Sequence, residues 1–340
     1  MSSIPDVLIV GAGLAGLAAG RDLARAGRSV HVLEKSRGVG GRAATRRLEL
    51  DGRVVPVDHG AQYFTAKNQR LSALLPKLIQ QGLVREWARS FPALRPGGIV
   101  AQPPRHPRYA CPDGMSSLGR VFLQGWEAHD QPLALETEAL VTGVQEAAEG
   151  WMVMLADGST RLGRALVLNM PAPQALKLTQ GLLKPEVQRA LQAVRYAPCW
   201  AAILVPHQLP HLDWMGLEIE HAVLAWAALD HTKRAVPDPP VLVLQASPEW
   251  SQAHLELDPE EALQQIVKAA QELFGEWIGQ YHTAIAHRWR YALPTQPHPQ
   301  PYLAQGSLVF CGDWCAGARI EAALESGWAT SNYLLEFSQP

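Results

Sequence analysis

Gly11, Gly13, Gly16 and Glu34 are the residues whose types and spacing first suggest chemistry. They stand in VLIVGAGLAGLAAGRDLARAGRSVHVLEK, residues 7–35. A short apolar run, Val7 to Val10, meets the first glycine. A helical pattern follows to Ala26, with Gly27 where a helix would end. Ser29 to Leu33 reads as a second strand, and Glu34 comes directly after it. Strand, glycine turn, helix, strand and acid make up the dinucleotide fingerprint in its required setting. Gly11 permits the tight turn, Gly13 lets a pyrophosphate approach the backbone, and Gly16 allows the helix to pack closely on the strands. Leu14 and Ala15 open that helix, whose free N–H groups and positive dipole end suit phosphate. Glu34 can accept both hydroxyls of an adenosine ribose and would repel a 2′-phosphate; Lys35 adjoins it. A plain glycine-rich strand-to-helix turn is the simpler account of the same residues.

The residues after the acid choose between two dinucleotides. Residues 37–46 read RGVGGRAATR and contain Gly38, Gly40, Gly41 and Arg42. An NAD domain needs nothing there. FAD is longer, and a second glycine loop with an arginine can reach its phosphates and ribityl chain. FAD is therefore the expected cofactor, bound non-covalently. A solvated loop cation is the simpler account of Arg42.

Composition narrows the class. The chain has 340 residues, 47% hydrophobic and 18% charged, which suits one or two domains with a sizeable core. A formal net charge of −2 gives no electrostatic footprint for nucleic acid. No apolar stretch reaches the length of a membrane span; the uncharged candidate from Val7 to Ala19 is too short. The N-terminus shows no basic region with a cleavage site, so a cytoplasmic protein is expected. The cysteines, Cys111, Cys199, Cys311 and Cys315, are too few for a disulfide scaffold and form no paired CxxC set, so no metal is expected.

The elements that must position these residues follow in order. Residues 43–57 suggest a hairpin turning at Asp51-Gly52. In DHGAQYFTAK, residues 58–67, a glycine between polar and aromatic residues suggests a backbone that a ligand approaches closely. A β-turn into the next helix is the other account. Residues 68–89 read helical with Pro76 inside, 91–112 as loop with short strands, and 114–128 as helix. Strands are expected within 133–155, followed by an Asp157-Gly158 turn, and at 165–169. Helices at 174–193 and 258–274 then accompany strands at 201–205, 222–229, 241–246 and 283–291, and 294–301 is a stiff return. A strand at 308–310 leads through Gly312-Asp313 to a helix from Arg319 to about Leu335. The expected fold is α/β: a Rossmann-like FAD domain built from both chain ends, with an inserted mixed or antiparallel-sheet substrate domain. Its expected parts are 1–75, 113–173 and 302–340 for FAD, and 76–112 and 174–301 for substrate. In that geometry the last helix aims its N-terminus at the flavin, and Asp313 bonds the ribityl chain or a phosphate-bound water network. An ordinary βα turn with a capping Asp is the alternative.

The pattern GAGLAGL…LEKSRGVGGR resembles the amine-oxidase-like flavoprotein superfamily, of p-hydroxybenzoate-hydroxylase/amine-oxidase-like architecture. DHGAQYFTAK, RYAPCWA (195–201), LQASPEWSQAHLE (244–256), HRWRYALP (287–294) and GDWCAGARIEAALESG (312–327) resemble its renalase branch. The resemblance implies that His59, Gly60, Ala61 and Gln62 pass beside the isoalloxazine ring. It also implies that Val141 meets the adenine through its backbone, and that Arg319, Ile320 and Ala323 join the FAD site. Glu321-Ala322-Ala323 departs from the family's frequent Glu-Gly-Ala, and the extra methyl would tighten the flavin's backbone pocket slightly.

The implied reaction takes hydride from 2- or 6-dihydro isomers of NAD(P)H to FAD. Oxygen reoxidises the flavin, giving NAD(P)+ and H2O2. The flavin does the redox work and no general base is needed, which fits the lack of a nucleophile–base motif. Gln62, Tyr63, Tyr196, Trp226, Gln245, Trp289 and Tyr291 are the candidate walls for a planar substrate, although any of these aromatics could be core. Three alternatives stand beside this reading. A true amine oxidase would use an aromatic cage and a lysine-held water, for which Lys67 is the only lysine nearby in sequence. A desaturase would show an apolar docking patch. A non-catalytic FAD-binding protein would turn over nothing.

Overall fold

The structure, a computed structural model, describes residues 4–236, 239–315 and 317–337. It divides into two compact units, Met1–Ala43 with Ser116–Arg195 and Pro294–Pro340, and Ala44–Met115 with Tyr196–Leu293.

The first unit is built on a six-stranded sheet in the order Leu303–Gln305, Leu308–Phe310, Ala165–Leu168, Val7–Val10, Val30–Leu33, Ala134–Glu136. All pairings are parallel except the hairpin of the first two strands. The strands VLIV and ALVL are buried at every position, as expected of a parallel sheet covered on both faces. The helices Leu14–Arg25 and Ile320–Phe337 pack on each other. They approach so closely at Gly327 that an added Cβ would lie 2.2 Å from the carbonyl oxygen of Ala15. The first of these helices ends at Gly27, which takes a φ of +81° that suits glycine. From the same helix the buried Arg21 donates to the carbonyls of Phe122 and Leu123, at the end of the helix Ser117–Gln124.

The second unit carries a seven-stranded sheet in the order Tyr281–Gln296, Arg195–Pro206, Leu242–Ala246, Leu224–Leu229, Gly216–Ile219, Ala93–Arg95, Gly98–Val100. Alternation along Arg195–Pro206 gives this sheet two buried faces. Trp200, Ala202 and Leu204 pack with Leu263, Ile266 and Val267 of the helix Pro259–Phe274, which Asp258 caps. Ile203 and Val205 pack with Leu48, Val55 and Val57 of the hairpin Thr45–Leu50 and Arg53–Asp58. That hairpin turns at Asp51 and Gly52, both at positive φ, as a two-residue turn between twisted strands requires.

The compact units cut the chain elsewhere than the composition suggested. Residues 44–75 group with 196–293, because the hairpin covers the second face of that unit's sheet. Residues 174–195 and 294–301 group with the first unit. Two expected helices are shorter. The one expected over 68–89 stops at Gln80, with Gly82 at φ +70°, and Arg85–Ala88 is a strand. The one expected over 114–128 spans Ser117–Gln124 and stops at Gly125, at φ +89°. The short strands Gly216–Ile219 and Leu303–Gln305 were not expected.

Candidate functional site

In the first unit the three fingerprint glycines surround one side chain, that of Asn169. Asn169 follows the strand Ala165–Leu168, and its N–H donates to the Val10 carbonyl at 2.8 Å. Its Nδ2 donates to the Gly11 carbonyl at 3.1 Å. An added Cβ at Gly13 would lie 2.9 Å from Asn169 Nδ2, and one at Gly16 would lie 2.6 Å from it. Gly11 itself takes φ +102°. The second glycine loop closes on the first, with the Gly40 N–H donating to the Ala12 carbonyl at 2.8 Å. Glu34 is buried at the end of its strand, where its two carboxylate oxygens accept the Ala12 and Ser36 N–H groups, each at 2.8 Å. Lone pairs remain on both oxygens for a further donor.

The far end of the chain reaches the same place. Cys311 N–H donates to the Leu168 carbonyl at 3.2 Å, so the Gly11 and Gly312 turns flank one strand end. Arg42 Nη2 pairs with Asp313 Oδ1 at 2.5 Å. Burial raises the Asp313 carboxyl, and Arg42 only partly offsets that. Burial pushes the Cys311 thiol up to about 12 and that of Cys315 well above its ordinary value, so neither is an activated nucleophile. The Val141 segment is tied in through backbone bonds of Ala139 N–H to the Glu34 carbonyl and Glu34 N–H to the Glu136 carbonyl. Lys35 and Arg319 are exposed, and Ile320 and Ala323 are half-buried in the last helix. That helix carries the buried Glu321 in its first turn, which offsets the dipole expected to act on a flavin.

The predicted residues of the second unit fall into three groups. His59, Gly60, Gln62, Gln245 and Trp289 form the first. Trp289 Nε1 donates to the His59 carbonyl at 2.9 Å, and Gln245 Nε2 to the Gly60 carbonyl at 2.9 Å. Gln62 is committed at both ends of its amide: Nε2 donates to the Asp58 carbonyl at 2.6 Å, and Oε1 accepts from Lys233 Nζ at 2.9 Å. Ala61 lies between them, half-buried. The pKa of His59 is lowered to about 4 by burial, then by His287 and Arg46, so this imidazole is neutral near pH 7. Tyr196 and Tyr291 form the second group, edge to face at 5.4 Å. Tyr63 and Trp226 belong to the third, a cluster with Trp87 and Phe91.

Below the first group lies a charge quartet that the sequence reading missed. Asp58, Asp230 and Lys233 are fully buried and Arg234 nearly so. Lys233 Nζ sits 2.9 Å from Asp230 Oδ1 and 3.5 Å from Asp58 Oδ2. Arg234 Nη2 is 2.9 Å from Asp58 and also pairs with Asp230. Burial alone would raise the Asp58 carboxyl, but Arg234 and Lys233, with Met115 N–H and the Thr45 hydroxyl, hold it below the ordinary carboxylate range. Arg108 was also missed. Its guanidinium lies 4.8 Å from the Phe91 ring centroid and 5.5 Å from that of Tyr63. Arg108 Nε and Trp226 Nε1 are buried without a hydrogen-bond partner among the described residues. A buried donor left unmade costs roughly 1–3 kcal/mol.

Comparison with known proteins now decides the family. The pattern of the flavin containing amine oxidoreductases matches residues 93–335, and that of the NAD(P)-binding Rossmann-like domain matches residues 9–78. The chain belongs to the flavin-containing amine oxidoreductase family. Lysine-specific histone demethylase 1 homolog 1 of Arabidopsis thaliana is 33% identical over 159 residues, 44% of this chain and 19% of that protein. Lysine-specific histone demethylase 1 homolog 3 of Oryza sativa subsp. indica is 39% identical over 98 residues, 28% of this chain and 12% of that one. The matches thus span a fifth or less of these relatives' length. Among solved structures, a provisionally assigned protoporphyrinogen oxidase from Exiguobacterium sp. 255-15 superposes with TM-score 0.72 at 14% identity, covering 99% of this chain and 100% of that one. Wild-type putrescine oxidase bound to putrescine superposes with TM-score 0.67 at 16% identity, covering 98% and 99%. These likenesses establish the amine-oxidase-like fold.

The family is one of flavin-containing oxidoreductases, and the first unit of this chain fits FAD on its own geometry. The helices starting after Asn68, Ser247 and Asp258 are each capped by that side chain. The helix Leu14–Arg25 has no side-chain cap and no acid in its first turn. Its first N–H groups are therefore open to an anion, beside glycines that admit no Cβ. Glu34 would hold the ribose, Leu14 and Ala15 the phosphates through their N–H groups, and Arg42 with Asp313 the chain between phosphate and ring. When bound, FAD supplies two-electron redox chemistry. Among the described residues no helix is long and apolar enough to cross a membrane, and no group of three or more His, Cys, Asp or Glu could hold a metal ion.

Proposed function

We propose that this family member is a renalase-type oxidase, which takes hydride from 2- and 6-dihydro isomers of NAD(P)H. The balance is dihydro-NAD(P) plus O2 and a proton, giving NAD(P)+ and H2O2. The observation that carries the reading is the chemistry of the Tyr63 cluster. Its aromatic faces are accompanied by the Arg108 guanidinium. The two nearest carboxylates of the Gln62 network, Asp58 and Asp230, are already neutralised by Lys233 and Arg234. Such a surface suits a flat ring bearing hydrogen-bond acceptors and repels an ammonium ion. The reaction needs no side-chain base, because the C–H electrons and the hydrogen nucleus leave together as hydride. The residues' work is then to bind and orient the ring and to exclude water. Neutral His59 adds no charge to the group it forms with Trp289.

The family assignment also favours a second reading, amine oxidation. Anaerobic stopped-flow reduction of the purified, FAD-loaded protein separates the two. The 2- and 6-dihydro isomers should bleach the flavin rapidly, ordinary 4-dihydro NADH slowly, and mono- and diamines not at all. Bleaching by amines on a turnover timescale, without bleaching by the isomers, would replace this reading with amine oxidation.

A further inference from the structure

We infer that Arg108 and Trp226 form a recognition subsite for the carboxamide oxygen of the planar substrate, an assignment that rests on the reading just given. The two side chains lie on the same pair of rings. The Arg108 guanidinium is 4.8 Å from the Phe91 centroid and 5.5 Å from that of Tyr63. Trp226 meets Phe91 edge to face at 4.9 Å and Tyr63 at 6.0 Å. Within this one cluster, two donors, Arg108 Nε and Trp226 Nε1, are shielded from solvent and have no partner among the described residues. The guanidinium is anchored at its other end, where Nη1 donates to the Arg89 carbonyl at 2.7 Å.

The chemistry of the missing partner follows from the donors. An indole N–H and a guanidinium N–H can only donate, so the partner is an acceptor. It has to sit against aromatic rings, so it belongs to a flat molecule or to trapped water. A carboxamide oxygen on a pyridine ring has two lone pairs, one for each donor. An ammonium group has none, and would meet the charge of Arg108. Both residues stand on strands, Arg108–Ala110 and Leu224–Leu229, so the donors are held in place before any ligand arrives.

The experiment measures binding of NAD+, and of an analogue whose pyridinium ring lacks the carboxamide, to the FAD-loaded enzyme by flavin absorbance. A site built around two waiting donors rejects a ligand that cannot satisfy them. The wild type should prefer NAD+ by at least ~100-fold. Trp226→Phe, which removes the N–H and keeps an aromatic ring, should cut that preference by about 10-fold. Arg108→Lys, which keeps the charge and loses Nε, should act likewise. Both variants should raise KM for the dihydronicotinamide substrate with kcat within about 2-fold, and keep the wild-type FAD content. A wild type indifferent to the carboxamide, or two variants with its full preference, would overturn the subsite and leave trapped water as the partner. Failure of every dihydronicotinamide to reduce the flavin would instead count against the proposed reaction, and the binding ratio reads the subsite separately from it.

Discussion

Asn169 donates from Nδ2 to the carbonyl oxygen of Gly11, and the same amide occupies the space that a Cβ at Gly13 or Gly16 would need. The glycines of the dinucleotide fingerprint are thus shaped partly from behind, by a residue 158 positions away in sequence. Asn169→Ala should leave the fold intact and loosen the turn. The lost hydrogen bond is worth about 1 kcal/mol, so FAD affinity should fall roughly 5-fold. Fluorescence titration of the apoprotein with FAD checks this, and an unchanged Kd would show that the turn holds without Asn169.

Gly327→Ala tests the contact between the first and last helices. The new methyl would meet the Ala15 carbonyl, a backbone atom that cannot rotate away. Overpacking of this kind costs about 1–3 kcal/mol. Because Ala15 lies in the first turn of the helix proposed to hold the phosphates, the melting temperature and the FAD content should fall together. A variant that melts like the wild type would mean that the last helix shifts freely.

Glu34→Arg should remove most bound FAD. The substitution loses the acceptor of the Ala12 N–H as well as the carboxylate proposed to hold the ribose. Charge-assisted bonds of this type are worth roughly 1.5–3 kcal/mol each. Recovery of the variant with full flavin content would assign the ribose to another residue.

Lys233→Met strands Asp230 and Asp58 in the interior with one cation instead of two. Breaking a buried pair from one side costs about 3–5 kcal/mol. Lys233→Met combined with Asp230→Asn restores the charge balance and should recover a large part of that loss. Urea unfolding of the singles and the double measures the coupling, and simple additivity would contradict it.

Acid should weaken the fold through histidine as well as through carboxylates. His59 has a pKa lowered to about 4 by burial, His287 and Arg46, against 6.5 for a free histidine. Between those values the unfolded chain binds the proton and the folded chain does not. Stability is therefore unaffected above about pH 6.5 and falls as the pH drops toward 4, by up to about 3 kcal/mol. His287, lowered by burial and Arg46, acts in the same direction. His59→Gln should flatten the decline in unfolding free energy between pH 7 and 5, and equal slopes for variant and wild type would remove His59 from the account.

The first unit was the more legible in sequence, and for a physical reason. Gly11, Gly13, Gly16 and Glu34 lie within one local strand–helix–strand unit, where spacing fixes geometry. The arrival of Gly312-Asp313 beside the Gly11 turn required only that both chain ends supply strands to one sheet, whereas the ion pair of Asp313 with Arg42 is not encoded in either local stretch. Asn169 was missed because its role depends on which strand lies beside Val7–Val10, and local periodicity does not encode that. Lys233 and Arg234 carried the signature of solvated charges, and only the partners Asp58 and Asp230 reveal them as interior residues. In the same way, the sequence offers Gln62 as a pocket wall, and nothing local in it shows that Lys233 takes up its Oε1.

The quartet of Asp58, Asp230, Lys233 and Arg234 also makes a statement about heredity. A single base change at any of the four codons that removes one charge leaves its opposite number stranded, whereas a matched pair of changes does not. The four positions should therefore drift as one locus although 176 residues separate the first from the last. A randomised library of these codons, selected only for retention of bound flavin, should return them either whole or emptied in pairs of opposite sign.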